Sequence, residues 1–329
     1  MATIDNQKQR DLTIDLLKFF AVFIITSSHF EPYYHPYEFL ATGGAIGDAL
    51  FFFCSGYTLL LKDISKENFF NWYKRRINRI FPILFAWALI SGLILSWKNY
   101  SFVYLLSCQE WPFVICILVY YVVFFALRKV IVKHPWQVLV LAIGVSFANY
   151  MVSESSNLYA WTWPAYVNYF SFMLMGATAG KYRTQVNHRV YDFAWLLCFV
   201  AVYYGLLYLS YKQGSRVLMF VSVLPLFGII VYFWKLMQIT LLNKMYYSKY
   251  GNIAIMIISN ICLEVYVCQP PLIMGKIPVT LYPLFPLNIP IGFVTILSLA
   301  FIIHILSNFI SQTFNESKYD WRKMVLFWK

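Results

Sequence analysis

The stretch Leu12–Ser28, LTIDLLKFFAVFIITSS, decides the class of fold, because a mostly apolar run of this length crosses most of a lipid bilayer as an α-helix. His29 closes the run, and Lys18 lies inside it, eleven residues earlier. Eleven residues at 100° each make three turns plus roughly 20°, so the two side chains share one helix face, about 16 Å apart along the axis. An ionisable pair inside a membrane span is costly to bury and normally faces protein or water. This segment is therefore the first candidate for chemistry.

The composition of the whole chain agrees with a membrane protein. Of its 329 residues, 60% are hydrophobic and only 12% are charged, with a mean hydropathy of +0.62. A soluble domain carries about twice that charged fraction. The net charge of +12 does not indicate nucleic-acid binding, because the basic residues lie in short loops between apolar runs. We predict no nucleic-acid partner and a lipid bilayer as the surroundings.

The apolar runs predict an all-α polytopic bundle of about ten transmembrane helices. No internal repeat and no cleavable signal peptide is recognisable, so the first run is interpreted as a retained span. We predict a single membrane domain over residues 1–329, with cytoplasmic tails at 1–11 and 311–329. The predicted spans are 12–28, 43–61, 80–97, 111–127, 136–151, 165–180, 193–211, 217–237, 252–273 and 288–310.

The distribution of Lys and Arg predicts the orientation of the bundle. The N-terminus, Lys18 and the loops at 62–79, 128–133, 181–189, 235–249 and 318–329 hold 22 of the 26 basic residues. The alternate loops hold only Lys98, Lys212, Arg216 and Lys276. This asymmetry places both termini in the cytoplasm. It also places Lys18 toward the cytoplasmic half and His29 near the outer face.

The cysteines predict neither a disulfide framework nor a metal site. They are scattered, mostly within apolar runs, and show no CxxC spacing, so we interpret them as small core residues. They are Cys54, Cys108, Cys116, Cys198, Cys262 and Cys268.

The first polar patch combines Asp11 and Asp15 with Lys18 and His29. The two acids fall about two turns and one turn before Lys18, on roughly its face. The patch has a plain alternative. Asp15 and Lys18 would then pair at the cytoplasmic interface, and His29 would only form a hydrogen bond at the outer one.

The second patch is residues 47–57, GDALFFFCSGY. Ser55 and Gly56 are small residues of the kind that let neighbouring backbones approach inside a membrane, so packing is their default role. Asp48 lies near the outer end of its span, where a surface position explains it equally well.

The third patch, residues 74–82, KRRINRIFP, enters the third predicted span from the cytoplasm. Arg75, Arg76 and Arg79 fall within about one turn. They are either topological anchors that contact lipid headgroups or a phosphate site, because guanidinium groups grip phosphate oxygens bidentately.

The fourth patch, residues 258–270, ISNICLEVYVCQP, contains several polar side chains within a predicted span. Glu264 and Gln269 are costly in hydrocarbon unless they line a cavity or meet a partner. Glu110 and Glu154, both in outer loops, are the remaining acids that could reach a site near His29, and an ordinary loop position explains each of them as well.

Taken together, these patches resemble the acyltransferase-3 family of bacterial integral-membrane carbohydrate O-acyltransferases. The resemblance rests on the order of several motifs over most of the chain. They are the stretch from Arg10 to His29, G…FF…SGY at 47–57, RRxxRIxP at 75–82, FxxxG at 172–176 and SxxxLxVY at 259–266.

The resemblance implies ten spans and transfer of an acyl group, usually acetyl, from cytosolic acetyl-CoA to a carbohydrate hydroxyl at or beyond the outer face. It places the protein in the bacterial plasma (inner) membrane. The family's first-span motif is Arg, ten residues, then His. Here Lys18 holds the Arg position, with the charge but without the bidentate fork, and His29 matches the His. Gln269 stands where the family often has a second His.

The resemblance also assigns roles to the polar residues. His29 and Lys18 would be catalytic, with His29 as general base or as an acyl carrier. The acyl-CoA donor would contact Arg75, Arg76, Arg79, Lys18, Ser55 and Tyr57. The carbohydrate acceptor would contact Glu31, Asp48, Glu110, Glu264 and Gln269, and Asp48 or Glu31 would orient the imidazole of His29.

Two other classes of function account for parts of the sequence. A transporter or flippase for a polar or lipid-linked substrate would also need ionisable residues inside the bundle. A non-catalytic membrane scaffold would explain the charges of the loops but not those of the spans. The acceptor sugar, the length of the acyl chain and whether the chain forms a homo-oligomer are not encoded in these patterns.

Overall fold

A computed structural model describes residues 11–61, 64, 66–93, 112–182, 189, 191–274, 284–315 and 318–325. Within these ranges the regular structure is helical, with no strand. Glu110, predicted as an acceptor contact, lies outside the described residues. The helices are α1 (Leu12–Ser28), α2 (Gly44–Leu59), α3 (Phe69–Leu93), α4 (Pro112–Lys133), α5 (Pro135–Val152), α6 (Trp163–Lys181), α7 (Asp192–Gln213), α8 (Arg216–Val221), α9 (Val223–Leu236), α10 (Thr240–Tyr247), α11 (Lys249–Asn260), α12 (Cys262–Met274), α13 (Asn288–Asn315) and α14 (Trp321–Val325).

Helix α1 begins and ends where its sequence predicts. The Asp11 carboxylate accepts a hydrogen bond from the Thr13 backbone N–H at 3.1 Å, which satisfies one of the free donors of the first turn. His29 caps the other end, and its backbone N–H donates to the Ile25 and Thr26 carbonyls. A short 3₁₀ turn, Glu31–Tyr34, follows directly.

Six helical segments among the described residues are long and apolar enough to cross a membrane, and a bent pair makes a seventh. The pair is α11 with α12, bent by 57°. Each of the ten predicted apolar runs coincides with a helix or with two consecutive helices. Helices α1, α3 and α6 are not among the six. The structure therefore confirms an all-helical membrane protein, whereas the count of ten spans and the orientation stay predictions.

At two places the helices differ from the predicted spans. Helix α3 begins at Phe69, well before the predicted span at residue 80, because the polar segment with the arginines continues the helix outside the apolar run. The predicted span 252–273 is broken near Ile261, between α11 and α12. Polar residues precede the break. The Asn260 side chain donates to the Met256 carbonyl at 2.7 Å and so competes with the backbone hydrogen bonds of the helix for this acceptor.

The centre of the bundle is the contact between α2 and α6, where two backbones touch. A Cβ atom on Gly56 would collide with the Met173 carbonyl, and one on Gly176 would collide with the Phe53 carbonyl. Only glycine permits this approach, which lets the helices pack by direct backbone contact. The structure confirms the predicted packing role of Gly56.

The remaining helices surround this pair at different depths. Helix α7 keeps most of its side chains on the outside and buries only Asp192, Leu196, Tyr203 and Ser210. Helix α1 packs against α2, α11 and α12, and α13 packs against α3 and α12. This arrangement leaves a space between α1, α3, α12 and α13, and that space contains most of the polar side chains considered below.

Candidate active site

A cavity of about 610 Å³ lies between α1, α2, α3, α4 and α11–α13. Its volume is in the range of small-molecule sites. Its wall is far more polar than the surrounding apolar bundle. The polar side chains that line it are Lys18, Ser55, Asn78, Arg79, Tyr121, Ser259, Asn260, Glu264, Tyr266, His304, Ser307, Asn308 and Ser311.

A carboxyl–imidazole–amide chain forms one side of the cavity. Nδ1 of His304 lies 2.8 Å from Oε1 of Glu264, and Nδ2 of Asn308 lies 2.8 Å from Nε2 of the same ring. Because the Asn308 amide donates, Nε2 is the acceptor nitrogen, and Nδ1 carries the hydrogen that is donated to Glu264. Both ring nitrogens are therefore engaged, and the ring orientation is fixed.

Glu264 is the one acidic residue among the described residues that line the cavity, and 2% of its surface is exposed. One carboxyl oxygen, Oε1, accepts from His304. The other, Oε2, has no hydrogen-bond partner among the described residues. An unsatisfied buried polar group costs roughly 1–3 kcal/mol, more when it is charged, so this oxygen is suited to a ligand that brings a hydrogen-bond donor.

Lys18 supplies a positive charge from α1 to the same cavity. Asp15, one turn earlier, is 4% exposed, so neighbouring helices enclose it. The pairing of Asp15 with Lys18 at the cytoplasmic interface stays a prediction. Ser55, which is predicted to contact the donor, also lines the cavity from α2.

The three predicted phosphate-binding arginines of α3 have different surroundings. Arg79 lines the cavity. Arg75 is exposed and forms an ion pair with Glu67. The Arg76 guanidinium lies over the Trp72 ring, 4.7 Å from its centroid. Of these three arginines, Arg79 therefore lines the cavity, and the other two do not.

His29 lies at the far end of α1 and is not part of the cavity wall. Its side chain is exposed, in contrast to Phe30, which is buried beside it. The neighbouring protein still removes solvent from the ring, and this desolvation lowers the pKa of His29 below its ordinary value of 6.5. The imidazole is therefore largely neutral near pH 7, the state that a general base requires.

The depth of His29 relative to the cavity follows from one buried hydrogen bond. Nε2 of Gln269 donates to Oγ1 of Thr26 at 2.8 Å, which places these two residues at the same level of the bundle. Gln269 is five residues beyond Glu264, and His29 is three residues beyond Thr26. At a rise of 1.5 Å per residue, Glu264 lies about 12 Å from the level of His29.

The other predicted acceptor residues are dispersed. Glu31 is exposed in the 3₁₀ turn that follows His29. Asp48 is buried in α2, with its carboxyl next to the Tyr169 phenol, so a surface position was the wrong alternative for it. Gln269 already has Thr26 as its partner.

Glu154 and Tyr57 lie apart from the cavity wall. Glu154 is an exposed residue after α5, as its plain interpretation predicted. Tyr57, predicted at the donor, is buried, with its ring centroid 6.1 Å from that of Trp234.

Sequence reasoning missed His304 and Asn308. Both lie in the last apolar run, which was interpreted as an unremarkable span. Their signal was present as a period: His304, Ser307, Asn308 and Ser311 follow the i, i+3, i+4, i+7 spacing of one helix face. A polar stripe of this kind within an apolar helix indicates a cavity wall.

A bundle of apolar helices around a polar cavity is typical of a multi-pass membrane protein. Residues 11–305 match the family model described as an acyltransferase domain, so the chain belongs to the acyltransferase-3 family. This confirms the resemblance drawn from the motifs. Neither the curated proteins nor the solved structures include a significant match to the chain.

Proposed function

We propose that the protein is a membrane O-acyltransferase that moves an acyl group, in the first instance acetyl, from cytosolic acyl-CoA to a hydroxyl of a cell-surface or lipid-linked carbohydrate. The proposal places it in the bacterial inner membrane with both termini in the cytoplasm. The observation that carries it is the polar cavity inside an acyltransferase-family bundle, with Lys18 and Arg79 on its wall. Two cations beside a cavity suit an anionic donor.

On the donor side, Arg79 is the primary phosphate ligand in this proposal. Arg75 and Arg76 precede it on α3 and extend the positive surface away from the cavity. Arg75 would exchange its ion pair with Glu67 for a phosphate contact. Such an exchange is inexpensive, because exposed ion pairs contribute only about 0–1 kcal/mol.

On the acceptor side, His29 acts as general base. Its neutral imidazole takes the proton of the acceptor hydroxyl while the hydroxyl oxygen attacks the thioester carbonyl. The new C–O bond forms, the C–S bond breaks, and the thiolate leaves and takes up a proton. Lys18 lines the cavity from the same helix, eleven residues before His29, and its charge stabilises the donor there. Glu31 and Asp48 contribute to the acceptor side.

An acyl-histidine at His29 is the second route to the same product. The two routes differ in one observable. A carrier histidine holds a labelled acyl group in the absence of acceptor, whereas a general base does not. Protein that is denatured rapidly at neutral pH after exposure to radiolabelled acetyl-CoA reports which route operates, because an acyl-imidazole is hydrolysed quickly in acid.

The experiment that tests the function uses the purified protein in lipid nanodiscs with acetyl-CoA and cell-surface glycans of the host as acceptor. Thiol release is followed with a thiol-reactive dye, and acetylation of the glycan by mass spectrometry. An acyltransferase releases thiol and acetylates glycan in equal amounts. A transporter or flippase moves substrate without either product.

A further inference from the structure

The cavity wall formed by α13 is rich in neutral hydrogen-bonding groups, which phosphate binding does not explain. His304, Ser307, Asn308 and Ser311 occupy one helix face and line the cavity. From His304 to Ser311 this face extends about 10 Å along the helix axis. A wall of amides and hydroxyls of this length suits an uncharged, extended ligand with several amide and hydroxyl groups.

The free oxygen of Glu264 specifies what such a ligand must present. Oε2 is buried, belongs to a residue that lines the cavity, and has no hydrogen-bond partner among the described residues. A carboxylate oxygen accepts hydrogen bonds, so its complement is an N–H or O–H group of the ligand. The ligand therefore places a donor at the level of Glu264.

His304 positions this oxygen and is not free to do chemistry itself. Its Nδ1–H holds Oε1 of Glu264, and its Nε2 accepts the Asn308 amide. The Asn308 amide also donates to the Met324 carbonyl at 3.3 Å, which ties the chain to α14. The carboxyl of Glu264 is thus held at a fixed angle, with Oε2 left for a ligand.

We propose that this wall binds the pantetheine arm of the donor, with Oε2 of Glu264 accepting the N–H of one of the arm's amides. The proposal rests on the proposed function, which supplies acyl-CoA as the donor. The arm carries two secondary amides and a hydroxyl and no charge, which matches the wall of α13. The phosphates then lie at Arg79, and the thioester end points along α1 toward His29.

This assignment makes Glu264 a specificity residue and not a catalytic one. It lies about 12 Å below the level of His29, which is too far for both to act on one carbonyl carbon. The proposal predicts that separate groups of residues recognise two parts of CoA. Each part is available as a separate compound: pantetheine is the arm, and adenosine 3′,5′-bisphosphate is the nucleotide part.

The test measures dissociation constants of CoA, pantetheine and adenosine 3′,5′-bisphosphate for the full-length protein in nanodiscs. In Glu264→Gln the new amide directs an N–H at the arm's own N–H, so a hydrogen bond is replaced by two opposed donors. We expect the dissociation constants of CoA and pantetheine to rise about 10- to 100-fold, with that of the bisphosphate unchanged. Arg79→Gln gives the reverse pattern, with weaker CoA and bisphosphate binding and unchanged pantetheine binding.

A ligand change gives the same test without any variant. Pantetheine methylated at either amide nitrogen has lost that N–H, and one of the two analogues binds the wild-type protein more weakly by the same factor. In Glu264→Gln this analogue loses nothing further.

Four results overturn the proposal. Pantetheine and CoA binding unchanged in Glu264→Gln removes Glu264 from the arm site. An equal loss for the bisphosphate shows a general distortion of the cavity. If the wild-type protein binds none of the three compounds, the donor named in the proposed function fails with it. If the wild-type protein binds the bisphosphate and CoA, but Glu264→Gln changes the dissociation constants of pantetheine and the bisphosphate equally or not at all, only the assignment of the arm fails.

Discussion

Gln269 of α12 donates a hydrogen bond to Thr26 of α1 at 2.8 Å, and both residues are buried. This contact joins the helix that carries Glu264 to the helix that carries Lys18 and His29. It lies one turn before His29, at the position where the family often has a histidine. We therefore interpret Gln269 as a residue that fixes the end of α1, in place of the acceptor contact predicted from the sequence.

Gln269→Ala should lower both stability and activity. The substitution removes the donor and leaves Oγ1 of Thr26 without this bond, and interhelical hydrogen bonds in membrane proteins contribute about 0.6 kcal/mol on average. We expect a small loss in thermal stability and a larger loss in kcat, because the end of α1 moves. Gln269→His keeps a ring N–H and is the matched control. Unchanged kcat in Gln269→Ala would show that the bond does not position His29.

The activity should depend on pH through His29. Desolvation lowers the pKa of this imidazole below 6.5, so the neutral form predominates at pH 7 and is protonated only in more acidic solution. We expect kcat/KM for acyl transfer to reach a plateau toward alkaline pH and to fall as the pH decreases through the lowered pKa. A pH–rate profile between pH 4.5 and 8 measures this. A midpoint above pH 6.5 is incompatible with His29 as the titrating base.

The arginines of α3 should contribute unequally. Arg79 lines the cavity, whereas Arg75 is paired with Glu67 outside it. Arg79→Gln should raise the KM for acetyl-CoA about 10-fold or more, the scale of a lost charge-assisted hydrogen bond, and Arg75→Gln should raise it less than 3-fold. Initial rates over a range of acetyl-CoA concentrations give both values. Equal effects would mean that the arginines act together as a surface charge.

The backbone contact between α2 and α6 should tolerate no side chain. A Cβ at Gly176 meets the Phe53 carbonyl, so Gly176→Ala should destabilise the protein by about 1–3 kcal/mol, the range for overpacking. Gly144 of α5 has open space around it, and Gly144→Ala is the control. Thermal denaturation in nanodiscs compares the two variants. Similar melting temperatures would contradict the close packing.

The helices themselves were largely predictable, because a long apolar run in a sequence indicates a buried or membrane-spanning helix. Helical periodicity also placed Lys18 and His29 on one face of α1. The assembly of the site was not predictable to the same degree. Periodicity relates residues within one helix, and it does not say that α13 meets α12 so that His304 reaches Glu264. The pairing of Arg75 with Glu67 was not predictable either, because Arg75 lies eight residues after Glu67 and the start of α3 falls between them.

Three residues that the sequence groups with the site lie against neighbouring helices and not on the cavity wall. Tyr57, Asp48 and Gln269 were grouped with the site because they are polar or lie near a motif. In the structure each is buried by a neighbouring helix, against Trp234, Tyr169 and Thr26 respectively. Whether a polar residue in a span faces a cavity or another side chain depends on the packing of several helices.

The central claim is that His29 deprotonates the acceptor in an acyl transfer from CoA, and the most direct measurement is acceptor-dependent thiol release by His29→Gln in nanodiscs. The variant should retain wild-type folding and CoA binding and lose acyl transfer by at least about 100-fold, the lower scale of general-base catalysis. His134→Gln, an exposed histidine between α4 and α5, should keep full activity. Near-wild-type transfer by His29→Gln would contradict the account.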